Sequence, residues 1–378
     1  MIAAIDAWEA QRADLESLAA RGRGRRLIAR EGRDFSSNDY LGMARAPRLA
    51  RAVEDAIARG VPIGSGGSRL LRGNDPEHEA LEAEAAQFFR SESALFLSSG
   101  YAANVALLAT LPQRGDLVVY DALIHASMHE GLALTRADKA MAAHNNVQSF
   151  ADAITAWRTA GGRGRAWLAF ESLYSMDGDR APLPDLAALA EQHEAVMLID
   201  EAHATGVFGP DGRGLAAALD GRADTVVLRT CGKALGCEGA LICGPAVMRD
   251  FLVNRARPFI FSTAPSPLMA AAVREALRML ADEPERRTGL MARMARAEAA
   301  LAPHGAEVTG TQIMPLILGD EVRTMAVAAR LQQAGFDIRG IRPPTVPLGT
   351  SRLRISLTQN VMPEDIDALA AALAKALA

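Results

Sequence analysis

Short apolar runs alternate with amphipathic stretches through the middle of this 378-residue chain. The apolar runs lie at 94–97, 117–120, 166–170, 196–200, 225–229 and 240–243, and helical patterns such as 101–111 and 184–194 lie between them. Strands of this kind, separated by helices, are typical of crossover units in a mostly parallel sheet that is covered on both faces. The alternation predicts an α/β fold whose ligands lie just beyond the carboxyl ends of the strands.

The pattern changes after Pro265. Long helical patterns lead into an alternation of strands and helices, at 266–282, 285–302, 314–318, 322–334, 353–357 and from 363 onwards. The length of the chain favours more than one domain. We predict an N-terminal helix and connecting segment at 1–45, a large ligand-binding domain at 46–265 and a smaller α+β domain at 266–378.

Composition excludes several classes of function. The formal net charge is -4 and the pI is about 6.0, so the chain lacks the basic character of nucleic-acid-binding proteins. No apolar run reaches the ~18 residues of a membrane span, and the first residues lack a signal-peptide pattern, so we expect a cytoplasmic protein. The basic cluster at 21–30 is interpreted as a solvated loop, with contact to an anionic substrate as the alternative.

The three cysteines and the three lysines differ in what they indicate. Cys231, Cys237 and Cys243 match neither a disulfide framework nor a metal site, so no metal is expected. Lysine is rare, with three residues among 41 basic ones, and Lys233 lies in a small, apolar setting. Arginine cannot lose its proton there, whereas a desolvated lysine can attack a carbonyl and form a Schiff base. Lys233 is therefore a candidate catalytic amine, although chance placement is the alternative.

A carboxylate and a histidine follow the apolar run at 196–200. Burying the carboxylate of Asp200 requires a cationic partner or a water-filled pocket. A protonated pyridine nitrogen would serve, and His203 would then lie near the phenolic oxygen of the same ring. The alternatives are a helix cap for Asp200 and a purely structural role for His203.

Polar residues also follow the other predicted strands. Gly100 and Tyr101 open a helix after a small-residue turn, where free backbone N–H groups and the helix dipole hold phosphate. Thr230 offers a hydroxyl to the same phosphate. His125 and Ser175 lie beyond two further strands, and His125 is placed to cover a ring. Together with Lys233, these positions indicate an enzyme that uses pyridoxal phosphate.

The same residues lie in stretches that resemble the α-oxoamine synthases, a family with the aspartate-aminotransferase-like fold (fold type I). The resemblance covers about 35 to 358 and is carried by 35–42 (FSSNDYLG), 64–69 (GSGGSR), 200–203 (DEAH), 232–233 (GK) and 341–347 (IRPPTVP). It implies that Lys233 holds pyridoxal 5'-phosphate and then acts as the base, that Asp200 binds the pyridine nitrogen, and that His125 stacks on the ring.

The resemblance implies roles for further residues. It implies that His203 binds the phenolic oxygen, with Ser175 nearby, and that phosphate is held by Gly100, Tyr101 and Thr230. The family forms homodimers in which a segment such as Ser262–Thr263 reaches the partner's phosphate. The resemblance assigns Arg342 to the carboxylate of the amino acid, Thr345 and Asn38 to contact with substrate and, among several N-terminal arginines, Arg12 to the carboxylate of the acyl chain.

Within the family, the stretches at 35–42 and 341–347 are most similar to members that condense L-alanine with a pimeloyl thioester and release carbon dioxide. The chain departs from the common pattern at Ala234, where glycine is usual, and at Glu238, where a small residue is usual. Three alternatives stay open: a sister enzyme that joins glycine to a short acyl-CoA, an aminotransferase, and a binding protein without activity.

Borohydride reduction should fix a pyridoxyl group on Lys233, because hydride converts the Schiff base into a stable secondary amine. Peptide mass spectrometry locates the label. Labelling at Lys139 or Lys375 would contradict the assignment, and so would turnover by a Lys233→Arg variant that folds normally.

Overall fold

The structure is a computed structural model that describes residues 7–378. The strands in this range are β1 (Arg33–Asp34), β2 (Ser93–Leu97), β3 (Leu117–Asp121), β4 (Asp138–Ala142), β5 (Ala166–Glu171), β6 (Val196–Asp200), β7 (Thr225–Thr230), β8 (Ala240–Gly244), β9 (Ile313–Gly319), β10 (Phe336–Asp337), β11 (Arg339–Ile341) and β12 (Ser351–Ser356).

The α-helices in the same range are α1 (Glu9–Ala20), α2 (Pro47–Ala58), α3 (Pro76–Phe88), α4 (Gly100–Thr110), α5 (Ala126–Leu134), α6 (Val147–Thr159), α7 (Leu183–Gln192), α8 (Ala246–Arg255), α9 (Arg257–Ile260), α10 (Pro267–Asp282), α11 (Glu285–Leu301), α12 (Glu321–Gln333) and α13 (Pro363–Leu377). Short 3₁₀ helices lie at Pro210–Gly212, Leu215–Leu219 and Ala302–His304. None of the helices described here is both long and apolar enough to cross a membrane.

Seven strands form the central sheet in the order β2-β8-β7-β6-β5-β3-β4. β8 runs antiparallel to β2 and β7, whereas the other neighbouring strands are parallel. The predicted α/β architecture with a mostly parallel sheet is confirmed. Because β3, β5, β6 and β7 are parallel, their carboxyl ends lie along one edge of the sheet.

Helices cover both faces of this sheet. In β6, Leu198 packs in a cluster with side chains of α4, α5 and α8, whereas Met197 and Ile199 pack in a second cluster with α6 and α7. Each buried aliphatic side chain of this size contributes about 1.5–3 kcal/mol through removal from water. Burial on both faces explains why the strand is apolar throughout until Asp200.

The edge strand β4 was not predicted from the sequence. It pairs only with β3, and four of its five residues, including Lys139, are exposed or only partly buried. An edge strand of this kind needs no apolar run, because only one of its sides is hydrogen-bonded within the sheet. Hydrophobic periodicity therefore carries no signal for it.

The C-terminal part contains a smaller antiparallel sheet in the order β11-β12-β9, which packs with α12. β9, β12 and α12 lie within two residues of the predicted bounds, whereas β11 was not predicted. β1 pairs in parallel with β10, so residues 33–34 join this part of the protein, and α10 packs against α2 and α3. The division of the chain at 45 and 265 stays a prediction.

A buried ion network lies beneath the carboxyl end of β6. The guanidinium of Arg229 lies 2.6 Å from Asp220 and 3.3 Å from Glu201, and it stacks at 4.1 Å over the ring of Phe89. Burial raises the pKa of Glu201 to about 7, against the opposing effect of Arg229. The network anchors Glu201, the residue that directly follows Asp200.

Arg229→Met should destabilise the protein by about 3–5 kcal/mol, because it leaves the buried carboxylate of Glu201 without its cation and Asp220 with Arg213 alone. Urea unfolding monitored by circular dichroism measures the loss. Arg222→Met is the control, since its ion pair with Asp224 is partly exposed and should contribute about 0–1 kcal/mol. Equal losses of unfolding free energy in Arg229→Met and Arg222→Met would contradict a stabilising role of the buried network.

Candidate active site

The carboxyl ends of four parallel strands bring the candidate residues to one edge of the central sheet. Asp200 ends β6, Glu171 ends β5 directly opposite it in register, and Thr230 ends β7. His125 follows β3 and precedes α5. The topology thus explains how residues more than a hundred positions apart can form one site.

A hydrogen-bonded chain links Lys233 to the N-terminal segment. The Lys233 Nζ lies 2.5 Å from His203 Nε2, and His203 Nδ1 lies 2.6 Å from the Tyr40 hydroxyl. The loop that carries Lys233 turns at Gly236, whose φ is +66°. A Cβ at Gly236 would lie 2.4 Å from the backbone nitrogen of Ala44, so glycine is needed where the loop meets this segment.

The surroundings lower the basicity of Lys233. Desolvation lowers the pKa of its amine to about 8, although Asp200 opposes the change, as Glu171 does in its ionised form. Burial also lowers the pKa of His203 well below its ordinary range, and the nearby Lys233 adds to the effect. An appreciable fraction of Lys233 is therefore neutral near physiological pH, as a nucleophile or base requires.

Asp200 is 4% exposed and accepts two hydrogen bonds. Asn104 Nδ2 donates to one oxygen at 2.7 Å, and the backbone N–H of Ala202 donates to the other at 2.8 Å. Among residues 7–378, no cationic side chain lies within the 4.0 Å of an ion pair with Asp200. A protonated pyridine nitrogen fits this buried carboxylate.

His125 is connected to the same group through Ser127. Its Nδ1 lies 2.7 Å from the Ser127 hydroxyl, which in turn accepts a hydrogen bond from Asn104. Desolvation lowers the pKa of His125, with Asp200 opposing. A largely neutral ring with one exposed side is suited to cover a flat aromatic cofactor.

The predicted phosphate site lies at the beginning of α4. The Ser99 side chain caps the helix by accepting from the Ala102 N–H, and the first helical residues are Gly100 and Tyr101. A Cβ placed on Gly100 would lie 3.6 Å from Thr230 Oγ1, so the hydroxyl and the helix N-terminus are adjacent. This arrangement of N–H groups and hydroxyl fits a phosphate. No cluster of metal-binding side chains occurs in the part of the chain described here.

Arg354 is a member of the site that the sequence interpretation did not single out. Its guanidinium contacts the Ser175 carbonyl at 2.5 Å, Asn38 at 3.1 Å and the Tyr40 hydroxyl at 3.4 Å. It is 6% exposed, and none of the carboxylates in residues 7–378 lies within 4.0 Å of it. A buried cation without a counter-charge, next to Tyr40, is suited to bind a substrate carboxylate.

Several predicted substrate residues make their contacts elsewhere. Arg342 contacts the Gly24 carbonyl at 3.0 Å and Met325 Sδ at 2.9 Å. Thr345 is exposed and Arg12 lies in α1. Their roles stay predictions. Ser262 and Thr263 are exposed beside Ser98, which precedes the phosphate-site helix.

Asn104, Tyr40 and Glu171 were also missed as functional residues. Asn104 donates to Asp200, the Tyr40 hydroxyl contacts His203, and Glu171 lies opposite Asp200 in the sheet. The local sequence pattern does not show any of these contacts. Long-range hydrogen bonds carry no local sequence signal. A buried polar residue in an apolar helix, such as Asn104 in α4, is the one clue available.

The two departures near the lysine have different surroundings. Ala234 is buried against Gly206, where an added Cβ would lie only 2.7 Å from the Ala234 methyl group. Glycine at 206 therefore makes room for alanine at 234. The Glu238 backbone N–H contacts Met269 Sδ, and nothing in the structure explains its side chain.

Comparison with known proteins identifies the family. A family model described as aminotransferase class I and II matches residues 30–373. A relative from Anaeromyxobacter sp. (strain K), named 8-amino-7-oxononanoate synthase, is 44% identical over 97% of this chain and 94% of its own length. The chain belongs to the 8-amino-7-oxononanoate synthase family. A relative of the same name from Geobacter sulfurreducens is 42% identical over 94% of this chain and 92% of its own length.

Solved structures of other enzymes have the same fold. Serine palmitoyltransferase from S. paucimobilis, solved with a bound PLP–myriocin aldimine, matches with a TM-score of 0.87 and 26% identity over 98% of this chain and 97% of its own. The 8-amino-7-oxononanoate synthase from Francisella tularensis matches with a TM-score of 0.78 and 24% identity over 92% of this chain and 98% of its own. At this identity the match supports the fold alone. The protein has the fold-type-I architecture and is a pyridoxal-phosphate-dependent acyltransferase.

Opposite shifts in the pKa of Lys233 should follow from changing its two charged neighbours. Asp200→Asn should lower the pKa below about 8, because it removes an anion that stabilises the ammonium form. Arg354→Gln should raise it, because it removes a cation. The pH dependence of amine labelling at Lys233 in the cofactor-free protein measures both, and shifts of the same sign would contradict the electrostatic account.

Proposed function

We propose that the protein condenses L-alanine with a pimeloyl thioester to form 8-amino-7-oxononanoate in biotin biosynthesis. A bond forms between the alanine Cα and the acyl carbon as the carbon–sulfur bond breaks, and the alanine carboxylate then leaves as carbon dioxide. The names of the relatives support this reaction. The single observation that carries it is the unpaired guanidinium of Arg354 beside the Tyr40–His203–Lys233 chain.

The cofactor, when bound, supplies an electron sink for the negative charge that develops at the alanine Cα. Asp200 is placed to keep the pyridine nitrogen protonated, since it is a buried carboxylate without a protein cation. Asn104 and the Ala202 N–H fix the direction of its two oxygens. The first N–H groups of α4 and the Thr230 hydroxyl would hold the phosphate, and His125 would cover the ring.

Lys233 would hold the cofactor covalently and then move a proton. Its lowered pKa, about 8, leaves a neutral amine at Nζ that accepts a proton from the alanine Cα. His203 stays neutral at that pH because of its burial, so it positions Nζ without adding a second positive charge. The same Lys233 ammonium can return a proton to the carbon that loses carbon dioxide.

Arg354 would bind the alanine carboxylate through a charge-assisted contact with its guanidinium. Asn38 and Tyr40 hold the guanidinium in place, and the Ser175 carbonyl accepts from its Nε. Arg342, which the family resemblance assigns to the amino-acid carboxylate, would instead contact the acyl chain or its carrier, together with Thr345 and Arg12.

The proposal includes a cytoplasmic homodimer that shares its active sites. Phe261 is 71% exposed and directly precedes Ser262 and Thr263, and Tyr101 at the phosphate-site helix is 50% exposed. Exposed aromatic side chains at the site's margin are typical of surfaces that a partner covers. A second copy of the chain would bury them.

Arg354→Gln should raise the KM for L-alanine on the order of 100-fold, since the loss of a charge-assisted pair costs about 2–5 kcal/mol. Cofactor binding, followed by absorbance, should change little. Arg342→Gln is the comparison variant and should affect the KM for the thioester more than that for alanine. A larger effect of Arg342→Gln on the KM for alanine would favour Arg342 as the residue that binds the amino-acid carboxylate, as the family resemblance implies.

The substrate profile tests the reaction itself. With carbon dioxide release monitored, L-alanine plus pimeloyl-CoA should give turnover, whereas glycine with acetyl-CoA or succinyl-CoA should give little. The reverse preference would identify a sister acyltransferase. Pyruvate formation from alanine without carbon dioxide release would identify an aminotransferase, and the absence of any turnover would favour a binding protein.

A further inference from the structure

Glu171 is a second carboxyl group at the site, with no role in the scheme above. It ends β5 and is 2% exposed. In the sheet it stands directly opposite Asp200, the last residue of β6. Its Oε1 is buried without a hydrogen-bond partner.

The two carboxyl groups have different surroundings. Neighbouring strands lie about 5 Å apart, and two like charges at that distance repel by about 3 kcal/mol at an effective dielectric constant of 20. Asp200 has hydrogen-bond donors on both oxygens, so it is the better place for a negative charge. Glu171 has a buried oxygen without a hydrogen-bond partner, which suits a neutral acid.

We propose that Glu171 stays protonated and so leaves Asp200 as the single negative charge facing the cofactor ring. The inference rests on the proposed function only through the cofactor. It is independent of the identity of the amino acid and of the thioester.

The charged groups that face Glu171 agree with this assignment. They come from several elements: Asp200 from β6, Asp121 from β3 and Lys233 from the loop after β7. Burial first, and then Asp200 and Asp121, raise the pKa of Glu171 well above its ordinary value, while Lys233 opposes them. An ionised Glu171 would also raise the pKa of Lys233 and leave less of the neutral amine that the reaction needs.

Infrared difference spectroscopy on the cofactor-free protein tests the protonation state directly. The spectrum of wild type minus Glu171→Gln should show the C=O stretch of a protonated carboxyl group at neutral pH. Loss of carboxylate bands instead would overturn the proposal. Glu130→Gln, at an exposed position in α5, is the matched control for removing a glutamate from the surface.

Labelling of Lys233 across pH gives a second measure. Glu171→Gln replaces a neutral acid with a neutral amide, so the midpoint should move by less than ~0.3 pH units. A downward shift of about one unit would show that a negative charge had been removed, and would overturn the proposal.

Cofactor affinity tests which of the two carboxyl groups carries the negative charge. Glu171→Gln removes no charge and should leave the Kd of pyridoxal phosphate within about twofold, whereas Asp200→Asn removes the charge and should raise the Kd about tenfold, which is the loss of about 1.4 kcal/mol. Equal affinities in the two variants would overturn the proposal. A failed substrate profile would not change any of these three measurements.

Discussion

The carboxylate of Asp200 is the charge on which the arrangement of the site depends. It ends a strand that is buried on both faces, where an unpaired ion is costly. The protein supplies two neutral donors, Asn104 and the Ala202 N–H, but no cation within ion-pair distance among the described residues. The missing positive charge has to come from a ligand, which makes the cofactor part of the electrostatic balance of this edge.

The other ionisable groups are consistent with that balance. Lys233 and His203 lie 2.5 Å apart, and both have lowered pKa values because burial disfavours their charged forms. Arg354 cannot respond in this way, because a guanidinium keeps its proton. A buried cation that cannot be neutralised requires an anion, and the carboxylate of an amino acid is the anion that fits beside Lys233. The same reasoning makes Glu171 the carboxyl group that responds to burial by staying neutral.

Much of this could be predicted from the sequence, and the limits have physical causes. Lys233, Asp200, His203 and Thr230 follow apolar runs, so strand topology alone brings them to one edge of the sheet. Arg354 could not be told from its neighbour Arg352, because both are buried in β12 and only tertiary contacts distinguish them: Arg352 pairs with Asp177, whereas Arg354 contacts Asn38 and Tyr40. Strand β4 was missed because an exposed edge strand lacks an apolar pattern.

Tyr40 connects the N-terminal segment and the C-terminal sheet to the site on the central sheet. Its hydroxyl lies between His203, from the large sheet, and Arg354, from the C-terminal sheet. The pairing of β1 with β10 holds the N-terminal segment against the C-terminal part, and the Ser356 N–H donates to the Phe35 carbonyl nearby. A displacement of either end would therefore move Tyr40, and with it the contacts of both His203 and Arg354. The group proposed to bind carboxylate and the amine proposed to move the proton are thus coupled through one phenol, although they lie more than a hundred residues apart in the sequence.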